Sequence, residues 1–162
     1  MKKLRIYLDT SVINFLFAED APDFRRVTEE FFSRHATKYE MFTSEVLLVE
    51  VDADPNPAHR NLLRQVLQAQ PIALLPEDRR GEIERMAGFY LAERIIPQGK
   101  LDDAFHVGYA TVFEMDILLS WNFKHLANLR REARIVAVNV REGYRHPLRI
   151  VSPLEVEDEY EN

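Results

Sequence analysis

The side chains best suited to chemistry in this sequence are acids placed at the ends of apolar segments. Asp9 closes the β-prone run Leu4–Leu8 and is followed by Thr10 and Ser11. In an α/β fold this is the carboxyl end of a strand, where functional groups gather. An Asp there can equally serve only to cap the next helix. Glu50 comes six residues after Ser44, the expected N-cap of a helix starting at Glu45. At helical pitch Glu50 shares a face with Val46 and Leu47, and a Glu on an apolar face is either badly placed or held for chemistry. Glu45 itself needs no more than the helix dipole. Asp102 and Asp103 fall in the first turn of a helix expected over Leu101–Phe113, where acids often serve only that dipole. His106, three residues after Asp103 and four after Asp102, lies on their side of the helix. It is an auxiliary group there or an ordinary hydrogen-bonded histidine. Asn122 follows the run Asp116–Ser120 and offers a neutral oxygen at a strand end, or an N-cap to a helix from Phe123.

Acids that converge from separate elements repel one another unless a cation lies between them. Hard oxygen donors without cysteine suit Mg²⁺ or Mn²⁺ rather than zinc. Such sites polarise a phosphoryl oxygen and generate hydroxide from bound water. The chain has no cysteine, so disulfides, thiolate nucleophiles and cysteine-bound zinc are excluded.

The elements that must position these groups alternate in type. Leu4–Leu8 reads as a strand, and residues 23–38 carry Phe24, Val27, Phe31 and Phe32 at helical spacing. That helix serves the core or a dimer contact. Met41–Phe42 is a brief strand, and the Ser44-capped helix follows. Asp52–Pro57 is a loop, and Pro57–Ala69 a helix with Leu62, Leu63, Val66 and Leu67 on one face. Ile72–Leu75 is a strand, Glu77–Arg94 a long helix, and Leu101–Phe113 a helix with Ala104, Phe105, Gly108 and Val112 inward. Then come a strand at Asp116–Ser120, a helix at Phe123–Arg131 and strands at Arg134–Val138 and Arg149–Val151. Strands alternating with helices imply a parallel sheet covered on both faces.

With 162 residues, 46% hydrophobic and 30% charged, the chain is one globular domain's worth of sequence. The expected division is a domain over 1–154 and an acidic tail over 155–162. Apolar runs such as Val46–Val49 fall far short of the ~20 residues that span a bilayer. The opening Met1–Leu4 is broken by Arg5 and Asp9, unlike a secretory leader. A cytoplasmic protein without a membrane partner is the expectation. Net charge is -6, and the tail carries five of the acids with no Lys or Arg. Residues 121–149 hold Lys124, Arg130, Arg131, Arg134, Arg141, Arg145 and Arg149 against only Glu132 and Glu142. A pI of 5.4 argues against nucleic acid, whereas this local basic stretch argues for it. The plainer reading is a solvated helix face beside an acidic tail.

Four ordered segments resemble the PIN-domain family of metal-dependent ribonucleases, most of all toxins of the virulence-associated protein C type. They are Ile6–Ile13, Ser44–Glu50, Asp102–His106 and Asp116–Leu126, and the closing strand with Ser152–Glu155 is also family-like. The resemblance implies a three-layer α/β/α sandwich around a mostly parallel sheet of about five strands. It implies Asp9, Glu50 and Asp103 as catalytic metal ligands for one or two Mg²⁺ or Mn²⁺ ions. The family often carries a fourth acid where Asn122 stands, and an amide oxygen ligates without contributing charge. Asp102 is an auxiliary candidate, although a neighbouring helical residue points about 100° away. By the same resemblance the activity is endoribonucleolytic, with a homodimer and a small antitoxin protein as partners. Ser11 would bond the metal's water shell or the phosphate, and Lys124 and Arg130 would hold the RNA backbone. Trp121 reads as core rather than as a base-stacking residue.

Three other readings compete. A haloacid-dehalogenase-like phosphatase needs a second Asp two residues after the first, and Ser11 stands there. The five glycines, at 81, 88, 99, 108 and 143, form no phosphate-cradling loop. A catalytically impaired PIN-fold protein that binds RNA or a partner without cutting is the non-enzymatic alternative, and Asn122 is the feature in its favour.

Overall fold

The computed structural model describes residues 2–158. Five strands, β1 (Leu4–Leu8), β2 (Tyr39–Thr43), β3 (Ile72–Leu74), β4 (Ile117–Leu119) and β5 (Arg149–Val151), form one sheet in the order β3-β2-β1-β4-β5. Every pairing is parallel, with Ile6 opposite Met41 on one side and Ile117 on the other. Helices α1 (Thr10–Asn14), α2 (Pro22–Glu30), α3 (Glu45–Asp52), α4 (Pro57–Ala69), α5 (Arg80–Ala92), α6 (Leu101–Val112), α7 (Leu129–Arg141) and α8 (Pro153–Asp158) accompany it. This is the α/β, PIN-like architecture expected.

The central strands β1 and β4 are mostly apolar because both faces of a parallel sheet are buried. Alternation then sorts the side chains. Tyr7, Leu118 and Ile150 face one core with Ile83, Met86 and Tyr90 of α5, Val107 of α6 and Ile135 of α7. Ile6, Leu8, Met41, Ile117 and Leu119 face another with Val12, Phe31 and Val156. A third cluster, Ile13, Leu47, Val51 and Leu63, joins α1, α3 and α4. Gly108 matters for the first core: a Cβ there would meet the Ile83 side chain and carbonyl oxygen at 3.1 Å, so glycine permits the close approach of α5 and α6. Val27 and Phe31 are core residues, and Phe24 stacks on Trp121 with ring centroids 4.5 Å apart. The buried indole donates to Thr28 Oγ1 at 2.9 Å, as its core reading requires.

Several expected boundaries differ. Arg134–Val138 is not a strand but the middle of α7; Ile135, Val138 and Asn139 are buried at helical spacing, and Asn128 caps the helix by accepting from Arg131 N. The β-branched run reads as a strand locally, but the 3.6-residue period of its buried positions decides otherwise. Phe123–Arg131 is a helix only from Leu129, the preceding residues forming turns. The helix expected from Glu77 begins at Arg80. The helix over 23–38 continues past Glu30 as a wide π turn over Phe31–His35 and a 3₁₀ turn over Ala36–Lys38. The acidic segment from 155 begins inside α8, whose Val156 is buried against the sheet. Glu159 and Glu161 lie outside the described residues.

Candidate functional site

The carboxyl ends of β1 and β4 lie side by side at the middle of the sheet, and Asp9 leaves β1 there with its backbone N–H donating to Leu119 O. Its φ/ψ of -82°/174° is that of an N-cap to α1, yet its side chain caps nothing. Instead the buried carboxylate accepts from Ser11 Oγ at 2.5 Å, and Ser11 Oγ accepts from Trp121 N at 2.9 Å. One hydroxyl thus ties the exit of β1 to the exit of β4. Burial pushes the Asp9 carboxyl above its ordinary range; the His106 charge and the Ser11 and Ser120 hydroxyls oppose this, and Glu50 adds to it.

Glu50 projects from α3, whose first turn is closed by Ser44 accepting from Val46 N. Its Oε1 accepts from Thr10 Oγ1 at 2.8 Å and from His106 Nε2 at 2.6 Å. Burial pushes Glu50 up, but the hydrogen bond and charge of His106, with the Thr10 bond, outweigh it and leave Glu50 below the usual carboxylate range. His106 is buried; its desolvation opposes the charged form, and Glu50, Asp9 and Asp103 together raise its pKa all the same. The apolar face that made Glu50 conspicuous in sequence is therefore where it meets a histidine from α6.

Asp102 and Asp103 occupy the first turn of α6, with Lys100 just before it. Asp103 is pushed up to about 6, by burial first and then by the negative charge of Asp9, with Glu50 adding and His106 and Lys100 opposing. Asp102 is raised by burial and by Glu50. Asn122 Nδ2 donates to Asp103 Oδ2 at 3.1 Å, while Asn122 Oδ1 accepts from His125 N at 3.0 Å. The amide therefore offers its N–H₂ toward the acids and closes a turn with its oxygen. A cleft of about 340 Å³ is lined by Glu50, Gly99, Lys100, Leu101, Asp102, Asp103 and Asn122. A more enclosed apolar hollow of about 250 Å³, lined by Leu4, Ile117, Pro147 and Val151 among others, lies at the opposite end of the strands, away from these acids.

The donor chemistry fits a hard divalent cation: three carboxylates from three elements, two of them with pKa values raised first by burial and then by neighbouring acids. Among the described residues, neither Glu50 Oε2 nor Asp103 Oδ1 receives a hydrogen bond, so each acid keeps an oxygen for a cation. The side chains as they stand are turned toward protein donors, and among the described residues no three His, Asp or Glu form a closed ligand group.

The expected phosphate-holding residues divide. Lys124 and Arg130 are exposed and make no ion pair among the described residues. Much of the basic stretch is already engaged by partners on the same chain: Arg141 pairs with Glu93 and Glu142, Arg149 with Glu132, Arg131 donates to Ile95 O and Arg134 to Glu93 O. Sequence reasoning missed Lys100, Thr10 and Tyr7. Lys100 had a signal, a lone cation two residues before an acidic pair. It belongs to a positive group with Lys124 and Arg131; burial and then these three charges hold the His125 pKa down. Thr10 and Tyr7 had none, since their roles depend on contacts with residues far along the chain.

No protein-family model and no curated protein matches the chain. Among the described residues no helix is long and apolar enough to cross a membrane. Among solved structures, the crystal structure of FitAcB from Neisseria gonorrhoeae is similar over 92% of this chain and 98% of that one, with a TM-score of 0.54 and 14% identity. The chain shares the fold of that structure, here an α/β sandwich on a five-stranded parallel sheet.

Proposed function

We propose that the chain is a Mg²⁺- or Mn²⁺-dependent endoribonuclease, the toxin of a type II toxin–antitoxin pair, working as a homodimer restrained by an antitoxin protein. The observation that carries this reading is the convergence of Asp9, Glu50 and Asp103 from three separate elements with no Lys or Arg bonded to them among the described residues; burial first, and then the charge of Asp9, pushes Asp103 up to about 6. Asp9, Glu50 and Asp103 would hold the cation. When bound, it supplies Lewis acidity and a water of lowered pKa for attack on an RNA phosphodiester. Ser11 fixes the Asp9 carboxylate. Lys100, Lys124 and Arg130 neutralise backbone phosphates. Asn122 holds Asp103 by its amide N–H₂ and supports one cation more naturally than two.

The test is incubation of the purified chain with structured RNAs, with Mn²⁺ or Mg²⁺ and with EDTA, beside an Asp9→Asn, Asp103→Asn double variant. Cleavage that needs metal and disappears in the variant is the expected result; cleavage that persists in it overturns the assignment. A second reading, RNA or protein binding without cutting, is favoured by the uncharged Asn122 and by its Oδ1 being committed to His125 N. It predicts no Mn²⁺ binding by calorimetry.

A further inference from the structure

Behind Glu50 lies a buried polar chain that the proposed chemistry does not by itself require. His106 Nδ1 is 2.6 Å from Tyr7 Oη, and Tyr7 Oη is 2.6 Å from Ser44 Oγ. Tyr7, Ser44 and His106 are at most 1% exposed. Ser44 is the N-cap of α3, and Glu50 sits on that same helix. The contacts therefore close a loop from helix cap to phenol to imidazole to carboxylate, drawing on β1, α3 and α6.

We propose that His106 is the positioning residue for Glu50, holding Oε1 through Nε2 while Tyr7 and Ser44 lock the imidazole from behind, so that Oε2 is left for the cation. The proposal rests on the metal-dependent reading above. An ionised Glu50 can only accept, so Nε2 carries the hydrogen and donates. In the neutral imidazole Nδ1 accepts from the Tyr7 O–H and Tyr7 Oη accepts from Ser44; in the charged one Nδ1–H donates to Tyr7 Oη and the Tyr7 O–H donates to Ser44 Oγ. In both forms each of the three contacts keeps one donor and one acceptor. Thr10 Oγ1 adds a second donor to the same carboxylate oxygen at 2.8 Å. Two donors from separate elements on Oε1, with none among the described residues on Oε2, fix the carboxylate by one oxygen. Outer hydrogen bonds of this kind set the orientation of metal ligands.

The cost of this chain argues for its use. Tyr7 lies in the central strand, in an apolar cluster with Ile83, Met86 and Val107. Polar groups in such surroundings are expensive unless fully paired, and an apolar side chain at 106 would fill the space without them. The chain is paired throughout, and its end toward the cleft is Glu50.

Calorimetry with Mn²⁺ on the full chain tests this, using wild type, His106→Leu, His106→Gln and Tyr7→Phe, each also combined with Glu50→Gln. Circular dichroism and thermal melts establish that each variant is folded. His106→Leu is expected to weaken Mn²⁺ binding by about 10- to 100-fold. His106→Gln, whose amide N–H₂ replaces the Nε2 donor, is expected to recover to within about threefold of wild type. In the Glu50→Gln background His106→Leu should add no further loss, because the residue acts through Glu50. A merely structural histidine would show neither the rescue nor this dependence on Glu50. Unchanged affinity in His106→Leu, or losses that add across the cycle, overturns the proposal alone. No Mn²⁺ binding by wild type overturns the metal reading and the proposal with it. Should His106→Leu fail to fold, the cycle is read with Tyr7→Phe, which keeps the ring and removes only the hydroxyl.

Discussion

The two ends of the sheet carry similar residue types in opposite states. At the amino ends of β1 and β4, Asp116 accepts from Arg5 N at 2.7 Å and from His146 Nε2 at 2.8 Å. The Arg5 guanidinium donates to Phe113 O and lies over the Phe42 ring. Nearby, Glu132 takes Ile150 N and the Arg149 side chain. Each acid there has a donor or cation of its own. At the carboxyl ends, Glu50, Asp102 and Asp103 line one cleft and the buried Asp9 adds its charge to theirs; the hydrogen-bond donors to these acids are hydroxyls, an amide and one histidine, and among the described residues no Lys or Arg pairs with them directly. The first arrangement spends charge on holding strands in register. The second stores unfavourable charge, which is what a site awaiting a cation or a phosphate needs.

The sharpest way to break this contrast is to neutralise an acid at each end. Asp9→Asn should cut metal-dependent RNA cleavage by about 10²- to 10³-fold, the scale of losing a preorganised charged group, while the melting temperature holds or rises. A fall in melting temperature with cleavage intact would assign Asp9 to structure. At the other end, Asp116→Ala should cost about 1–2 kcal/mol of stability, because the Arg5 N–H loses its partner, with cleavage per folded molecule unchanged. Urea titrations and single-turnover cleavage on the same sample separate the two.

A pH series sharpens the comparison further. Asp103 titrates near its ordinary value in the unfolded chain and at about 6 when folded. Between those values the folded state binds the extra proton, so stability falls as pH rises through that window. The metal-free protein should therefore lose stability between about pH 4 and pH 6, and Asp103→Asn should remove part of that loss. The gain from Asp103→Asn at pH 7 is about 1 kcal/mol after allowing for water screening at this partly exposed group. The Asp9 and Asp102 carboxyls, also raised, act in the same direction, so Asp103→Asn leaves a residual slope, while the raised His106 costs stability only as pH rises above about 6.5. An unchanged slope in Asp103→Asn would show that the burden lies elsewhere. The smallest effects belong to the rim: Lys100→Ala or Lys124→Ala should each weaken RNA binding severalfold and lower the salt dependence by about one phosphate contact. Equal cleavage of bound RNA by these variants would keep them as binding residues only.

Much of this site was readable because its acids sit where local signals converge. Asp9 ends an unmistakable strand, Ser44 is a recognisable cap that places α3, and Asp102–Asp103 follow a glycine and open a helix. The misreadings have local causes too. Arg134–Val138 is rich in β-branched residues, which favour strands by propensity, but its environment is a helix packed on α5. Phe123 follows an Asn that resembles a helix cap, and the Asn closes only a turn. The seven bases of residues 121–149 resemble a nucleic-acid face in one dimension, yet Arg131, Arg134, Arg141 and Arg149 turn back to partners on their own chain.

By itself, then, the sequence determined the class of fold, the ends of its central strands and the identity of the acids that meet there. These follow from hydrophobic period and from capping, which act over a few residues. Only the tertiary structure decided what each acid touches. Glu50 meets His106 across 56 residues and Thr10 across 40, and Tyr7 meets His106 across 99. Such partners are chosen by how the sheet brings β1, α3 and α6 together, and the direction of each pKa shift depends on burial and on neighbouring charge in three dimensions, neither of which has a local signature in the chain.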